Sequence, residues 1–191
     1  MDTLTLQFPT STQLSDEQYY ELCLANPDIR IERNASGELV LMPPTGGETS
    51  QRNSSLNAQL WVWNQRTKLG KVFDSSGGFK LPNGADRAPD ASWVALERWT
   101  ALTTEQREKF PPICPDFVIE LRSSTDRLSV LQAKMQEYID NGARLGWLIN
   151  RKDKQVEIYR PEQAIETLQD PSKLLGETVL PGFELELEGI L

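Results

Sequence analysis

Apolar and polar positions along the chain alternate between helical and strand-like periods. "SDEQYYELCLAN", from Ser15 to Asn26, predicts a short helix capped by Ser15, with Gln18 at the reciprocal capping position and Pro27 after its end. "IRIERNASGELVLMPP" predicts a hairpin, because Ile29 and Ile31, then Leu39 and Leu41, alternate on either side of a polar, glycine-containing turn. From about Glu48 to Leu69, Leu56, Leu60 and Trp63 form the apolar stripe of a long helix, with Gly70 as its stop. "KVFDSSGGFKLPNGADRAPDASWVAL" is strand material with an Asn83-Gly84 turn. "LERWTALTTEQREKFPPIC" predicts one or two short helices before Pro111-Pro112.

"CPDFVIELRSS" then reads as a central strand with an unusual polar side. Residues two apart share a face, so Asp116, Val118, Glu120 and Arg122 fall on one side and Phe117, Ile119 and Leu121 on the other. The next segment predicts a helix with Ser124, Thr125 and Asp126 as capping groups. Leu128, Leu131, Met135, Tyr138 and Ile139 form one face, and Gly142 is its end. "LGWLIN" and "QVEIYR" predict two strands joined by the turn "RKDK", and short strands follow to "PGFELELEGIL". The expected fold is α/β (α+β): one domain over residues 1–191, with a central mixed sheet flanked by helices.

Composition narrows the chemistry. Apolar and charged fractions of 38% and 25% suit a soluble protein, and no apolar run is long enough to span a membrane. The first residues lack a basic region followed by a long apolar run. The two cysteines, Cys23 and Cys114, have no metal-ligand spacing, so a cytoplasmic setting is expected. The chain has no histidine, which excludes imidazole bases and histidine-built zinc sites. Any catalysis must therefore use carboxylates, lysine, serine, tyrosine or a hard metal held by oxygen. A formal charge of −8 argues against a broad surface for coating nucleic acid, but leaves room for a local basic groove.

Three acids stand out: Glu48 at the start of the long helix, Asp90 in "RAPDASWV", and Glu120 in the middle of its strand. Two cations can reach the same place. Arg122 is one same-face step beyond Glu120, and Lys134 lies at the edge of the following helix's apolar stripe, beside Leu131 and Tyr138. Buried carboxylates repel one another and are costly to desolvate. A divalent cation resolves that conflict, and a lysine or arginine at its rim balances charge during phosphodiester cleavage.

Here the pattern becomes specific. "APDASWV", followed after about thirty residues by the Glu of "PDFVIELRSS", resembles the PD-(D/E)XK nuclease superfamily. More narrowly, "MPPTGGETSQRN", "GFKLPNGADRAPDASWV", "CPDFVIELRSSTDRLSVLQAKMQEYIDNGARLGWLIN" and "VEIYRP" resemble the Uma-two (Uma2, DUF820) family of restriction endonuclease-like proteins. The likeness covers roughly Leu39 to Pro161. It implies a restriction-endonuclease-like fold and Mg²⁺- or Mn²⁺-dependent hydrolysis of nucleic acid, with DNA the expected substrate. Asp90 and Glu120 would be metal ligands, and Glu48 an extra helix carboxylate at the metal. The superfamily's lysine stands two residues after the Glu, where this chain has Arg122. Lys134 matches a lysine that has migrated to the next helix.

Each candidate also has a plain structural role. Glu48 can serve the helix dipole, Asp90 a turn, Glu120 an ion pair with Arg122 or Lys134, and Lys134 solvent. Asp116, despite the preceding proline, is read as structural. The alternative for the whole protein is a non-catalytic nucleic-acid-binding or protein-interaction module that keeps the fold. The five tryptophans are expected mainly in the core, and any left exposed would favour a homodimer.

Overall fold

The computed structural model of the chain describes residues 4–9 and 12–191. Helix α1 (Asp16–Ala25) begins as its capping residues dictate. Ser15 Oγ accepts the Gln18 N–H at 3.2 Å, and the Gln18 side chain accepts the Ser15 N–H at 2.9 Å. Strand β1 (Leu4–Leu6) pairs with β3 (Leu39–Met42), which forms the expected hairpin with β2 (Arg30–Arg33). Helix α2 (Gly47–Thr67) follows, and its stop differs from expectation: the left-handed residue is Lys68, at φ 57°. Gly70 is needed for close approach instead. A Cβ there would sit 2.2 Å from Val94 O and 2.4 Å from the Trp93 ring. Asn64 bonds both the N–H and the C=O of Gly70 and accepts the Trp93 indole N–H, tying the helix end to the sheet.

The remaining elements are β4 (Gly70–Asp74), β5 (Phe79–Lys80), β6 (Asp86–Arg87), β7 (Ala91–Ala95), α3 (Leu96–Thr100), α4 (Thr104–Glu108), β8 (Phe117–Leu121) and α5 (Leu128–Asp140). They are followed by β9 (Leu145–Asn150), β10 (Gln155–Tyr159), β11 (Glu166–Gln169), β12 (Lys173–Leu175) and β13 (Glu184–Glu186). Instead of one sheet there are two large ones, plus the β12-β13 hairpin. A six-stranded sheet runs β11-β10-β9-β8-β7-β4, and a five-stranded sheet runs β1-β3-β2-β6-β5. The chain passes from one to the other through Ala88-Pro89-Asp90, where proline has no N–H to give to a ladder. Strands β8 and β9 are parallel, as the α5 crossover between them requires.

The faces of β8 divide as alternation predicts. Phe117, Ile119 and Leu121 join Leu56, Leu60 and Trp63 of α2 and the C-terminal Phe183 and Leu185. In this core Trp147 stacks on Phe183 at 6.0 Å. Val118 faces the other way, with Met135 and Tyr138 of α5. Glu120 shares that face and is buried beneath α5. The expected capping groups of α5 are not used: the helix begins at Leu128 without a side-chain cap, and Asp126 accepts the Ser123 N–H at 2.8 Å. Trp63, Trp93 and Trp147 are buried, whereas Trp61 is 54% exposed.

Candidate active site

Asp90 immediately precedes β7. In the antiparallel β7-β8 pair Ala91 lies opposite Ile119, so the same register carries Asp90 opposite Glu120. Asp90 Oδ2 accepts the Leu121 N–H at 2.8 Å and Oδ1 accepts the Asn53 side-chain amide at 3.1 Å. Arg30 lies 3.7 Å from Oδ1. Glu120 Oε1 takes the Lys134 ammonium at 2.8 Å and the Tyr138 hydroxyl at 3.0 Å. Two strands, α2 and α5 thus converge on the two acids and the lysine singled out in the sequence.

Lys134 has a second carboxylate, which the sequence analysis missed. Glu32 Oε1 lies 2.9 Å from Lys134 Nζ and accepts the Ala88 N–H at 3.0 Å, and Glu32 Oε2 is 3.3 Å from Arg87. Arg87 in turn pairs with Glu137 at 2.6 Å, and Arg30 donates to Ala88 O. The sequence pattern of the hairpin rests on the alternation of Ile29 and Ile31. The structure instead buries Glu32 and Arg33 and leaves Ile29 42% exposed. The signal was present in "RIE": Arg30 and Glu32 share a strand face, so opposite charges two apart marked a paired face.

Burial and charge pull these groups apart. Burial raises the Glu120 carboxyl to about 7, against the pull of Lys134 and with the help of Asp90 and Glu32. Burial also opposes the charge on Glu32, but Lys134, Arg87 and Arg30 outweigh it and hold that carboxyl down at about 2. Lys134 is likewise disfavoured by burial, yet Glu120 and Glu32 raise its pKa. Tyr138 is pushed well up, first by burial and then by Glu120, so its hydroxyl stays a donor.

A pH dependence follows. Folded Glu120 keeps its proton to about pH 7, whereas the unfolded chain loses it near 4.5, so the folded state binds the extra proton in between. Stability of the metal-free protein should therefore fall by about 3 kcal/mol as pH rises through that window. Glu120→Gln should remove the slope in urea unfolding between pH 5 and 8. A slope unchanged by the substitution would mean that another group causes it.

Two other expected site residues lie elsewhere. Glu48 occupies the first turn of α2 with its side chain 82% exposed, and its Oε2 is 3.0 Å from Arg52 and 3.8 Å from Arg151. Arg122 stands just past the end of β8. Its guanidinium donates to Asn150 at 3.0 Å, Asp153 at 3.2 Å and the Asp126 carbonyl at 3.3 Å. Asp116 is structural in its contacts: it accepts the Ala95 N–H at 2.8 Å and meets Arg98 at 3.0 Å.

Among the described residues no three acidic, cysteine or histidine side chains form a metal-holding group. The oxygen donors around Asp90 and Glu120 nevertheless suit a hard ion. Beside the two carboxylates, Asn53 Oδ1 and Ser92 Oγ are buried without a hydrogen-bond partner among the described residues. Mg²⁺ commonly takes only one or two protein carboxylates and fills its shell with neutral oxygens and water. Arg30 and Arg87 also line a cleft of about 420 Å³, bounded in part by Pro43, Pro44, Thr45 and Ser76.

Sheets flanked by helices, with the parallel β8-β9 pair among antiparallel neighbours, define a restriction-endonuclease-like α+β fold. The chain belongs to the Uma2 family: the family model, described as "Putative restriction endonuclease", matches residues 16–188. Among solved structures, a protein from Anabaena variabilis described as "a putative nuclease belonging to DUF820" superposes with a TM-score of 0.70. It is 20% identical, and the match covers 84% of this chain and 88% of that one, a likeness of fold. No curated protein matches. Among the described residues no helix is long and apolar enough to cross a membrane.

Proposed function

We propose that this protein is a divalent-metal-dependent nuclease that hydrolyses phosphodiester bonds, with DNA as its substrate. The observation that carries this reading is the meeting of Asp90, Glu120 and Lys134 on one buried face, with Lys134 2.8 Å from Glu120. Asp90 and Glu120 would hold Mg²⁺ or Mn²⁺, and the unpartnered oxygens of Asn53 and Ser92 support that assignment. When bound, such an ion activates water and offsets phosphoryl charge. The Leu121 N–H and the Asn53 amide hold Asp90 in place. Lys134 carries three N–H donors. Two are directed at Glu120 and Glu32, and the third is left for a water or a phosphate oxygen. Arg30 links Asp90 to the adjoining cleft, where a phosphate would enter. Family membership supports the nuclease class.

The test is cleavage of supercoiled plasmid, short duplex, single-stranded DNA and RNA with Mg²⁺ or Mn²⁺, together with calorimetric titration of the metal alone. Asp90→Ala is expected to lower turnover by at least about 100-fold, the scale of losing one preorganised electrostatic group, and to weaken metal binding. Wild-type protein that neither binds a divalent ion nor cuts any substrate would sink the proposal. One observation favours a second reading, a non-catalytic module with the nuclease fold. The cluster is already ion-paired internally, with Lys134 shared between two acids. That reading expects nucleic-acid binding without turnover, unchanged in Asp90→Asn.

A further inference from the structure

We propose that Arg52 and Arg151 form a clamp for a backbone phosphate of nucleic acid, and that Glu48 occupies it when nucleic acid is absent. The inference rests on the nucleic-acid part of the reading above, not on metal or turnover. Arginines that serve the fold of this protein spend their donors. Arg33 donates to Asp86 at 2.7 Å, to the Leu14 carbonyl at 2.7 Å and to Asp16 at 2.5 Å. Arg87 bonds Glu137 and Glu32, and Arg122 bonds three partners.

Arg52 and Arg151 do not follow that pattern. A guanidinium has five N–H donors. Among the described residues Arg52 hydrogen-bonds only Glu48 through its guanidinium, and Arg151 reaches the same oxygen only at ion-pair distance, 3.8 Å. The Nε of each is buried and without a partner among the described residues. Two half-buried cations thus face one anion, with their side chains 16% and 28% exposed while Glu48 is 82% exposed. The carboxylate is the exposed partner, an anion resting on two cations that are more buried than it is. A planar fork with spare donors suits a phosphate, which presents more acceptor oxygens than a carboxylate.

The location suits the same ligand. Arg151 directly follows β9, and Arg122 directly follows β8, where the Arg122 N–H bonds Ile149 O at 2.9 Å. These are the carboxyl ends of two parallel strands, the side of an α/β sheet on which ligands bind. Arg52 is adjacent in the chain to Asn53, which holds Asp90.

The experiment is fluorescence anisotropy of labelled duplex DNA, single-stranded DNA and RNA in EDTA across a salt series, so that cleavage plays no part. Arg52→Ala and Arg151→Ala should each weaken binding, and the double variant should reduce the slope of log affinity against log salt by about one, for the single phosphate the clamp holds. Glu48→Gln should tighten binding by about two- to fivefold, the scale of removing one exposed ion pair that competes for the site. Circular dichroism checks the fold of each variant, and Arg52→Gln repeats the test with a side chain that still packs. Unchanged affinity and salt slope in the double variant, weaker binding in Glu48→Gln, or no binding by the wild type would each overturn the clamp. Binding that depends on the clamp without any metal-dependent cleavage would retain the clamp and remove the nuclease reading. Cleavage that survives in the double variant with unchanged affinity would do the reverse.

Discussion

Lys134→Met is expected to lower the stability of the metal-free protein by about 3–5 kcal/mol at pH 8, because it strips the shared counter-ion from two buried carboxylates. Lys134 Nζ lies between Glu120 at 2.8 Å and Glu32 at 2.9 Å, and methionine keeps the stem while removing the charge. The loss should shrink to less than half at pH 5. There Glu120 already carries a proton, since its carboxyl titrates at about 7, and only Glu32 is deprived. Cleavage should fall with the variant at every pH, since methionine has no N–H to offer a water or a phosphate oxygen. Urea unfolding at pH 5 and 8, read beside turnover, checks both. An equal stability loss at the two pH values would contradict the sharing of Lys134 between two acids.

Glu32→Gln should cost about 3 kcal/mol near neutral pH, with the opposite dependence on acid. Its carboxyl is held at about 2 in the folded protein against 4.5 for an ordinary glutamate, so its contribution is fully present above 4.5 and is lost as pH falls toward 2. The gap between variant and wild type should therefore narrow as pH falls below 4.5. In the proposed reaction Glu32 is a positioning residue, since it touches Lys134, Arg87 and the Ala88 N–H. Its loss should lower kcat and leave KM near the wild-type value, because Arg30 and the cleft are retained. The double variant with Lys134→Met should cost less than the sum of the two, because both substitutions break the same contact.

Much of this arrangement could be read from the sequence. Alternation within "PDFVIEL" puts Glu120 opposite Phe117, Ile119 and Leu121, and the 3.6-residue period of α5 puts Lys134 next to Tyr138. Both inferences are local, and both carry into the fold because strand and helix periods survive packing. The capping box at Ser15 and Gln18 is equally local. Glu32 was hidden for a physical reason. A hydrophobicity pattern assigns charges to water, and only the cations that meet Glu32 from β6 and α5 make its burial affordable. At Glu48 the spacing shows one neighbour and hides the other: Arg52 is its i+4 partner on the same helix, whereas nothing local points to Arg151. Arg151 is about a hundred residues away in the chain.

The sequence by itself determined the element types, the two-faced strand at Glu120, the absence of imidazole chemistry and the likeness that family membership bears out. Those features depend on residue type and on spacings of a few positions. Tertiary structure alone decided which charges meet. The register that sets Asp90 opposite Glu120, the strand that brings Glu32 to Lys134, and the approach of Arg151, just past β9, to Glu48 on α2 join residues from distant parts of the chain. Coulomb energy in a desolvated site depends on distances between side chains, and those distances come only from how the sheets and helices pack.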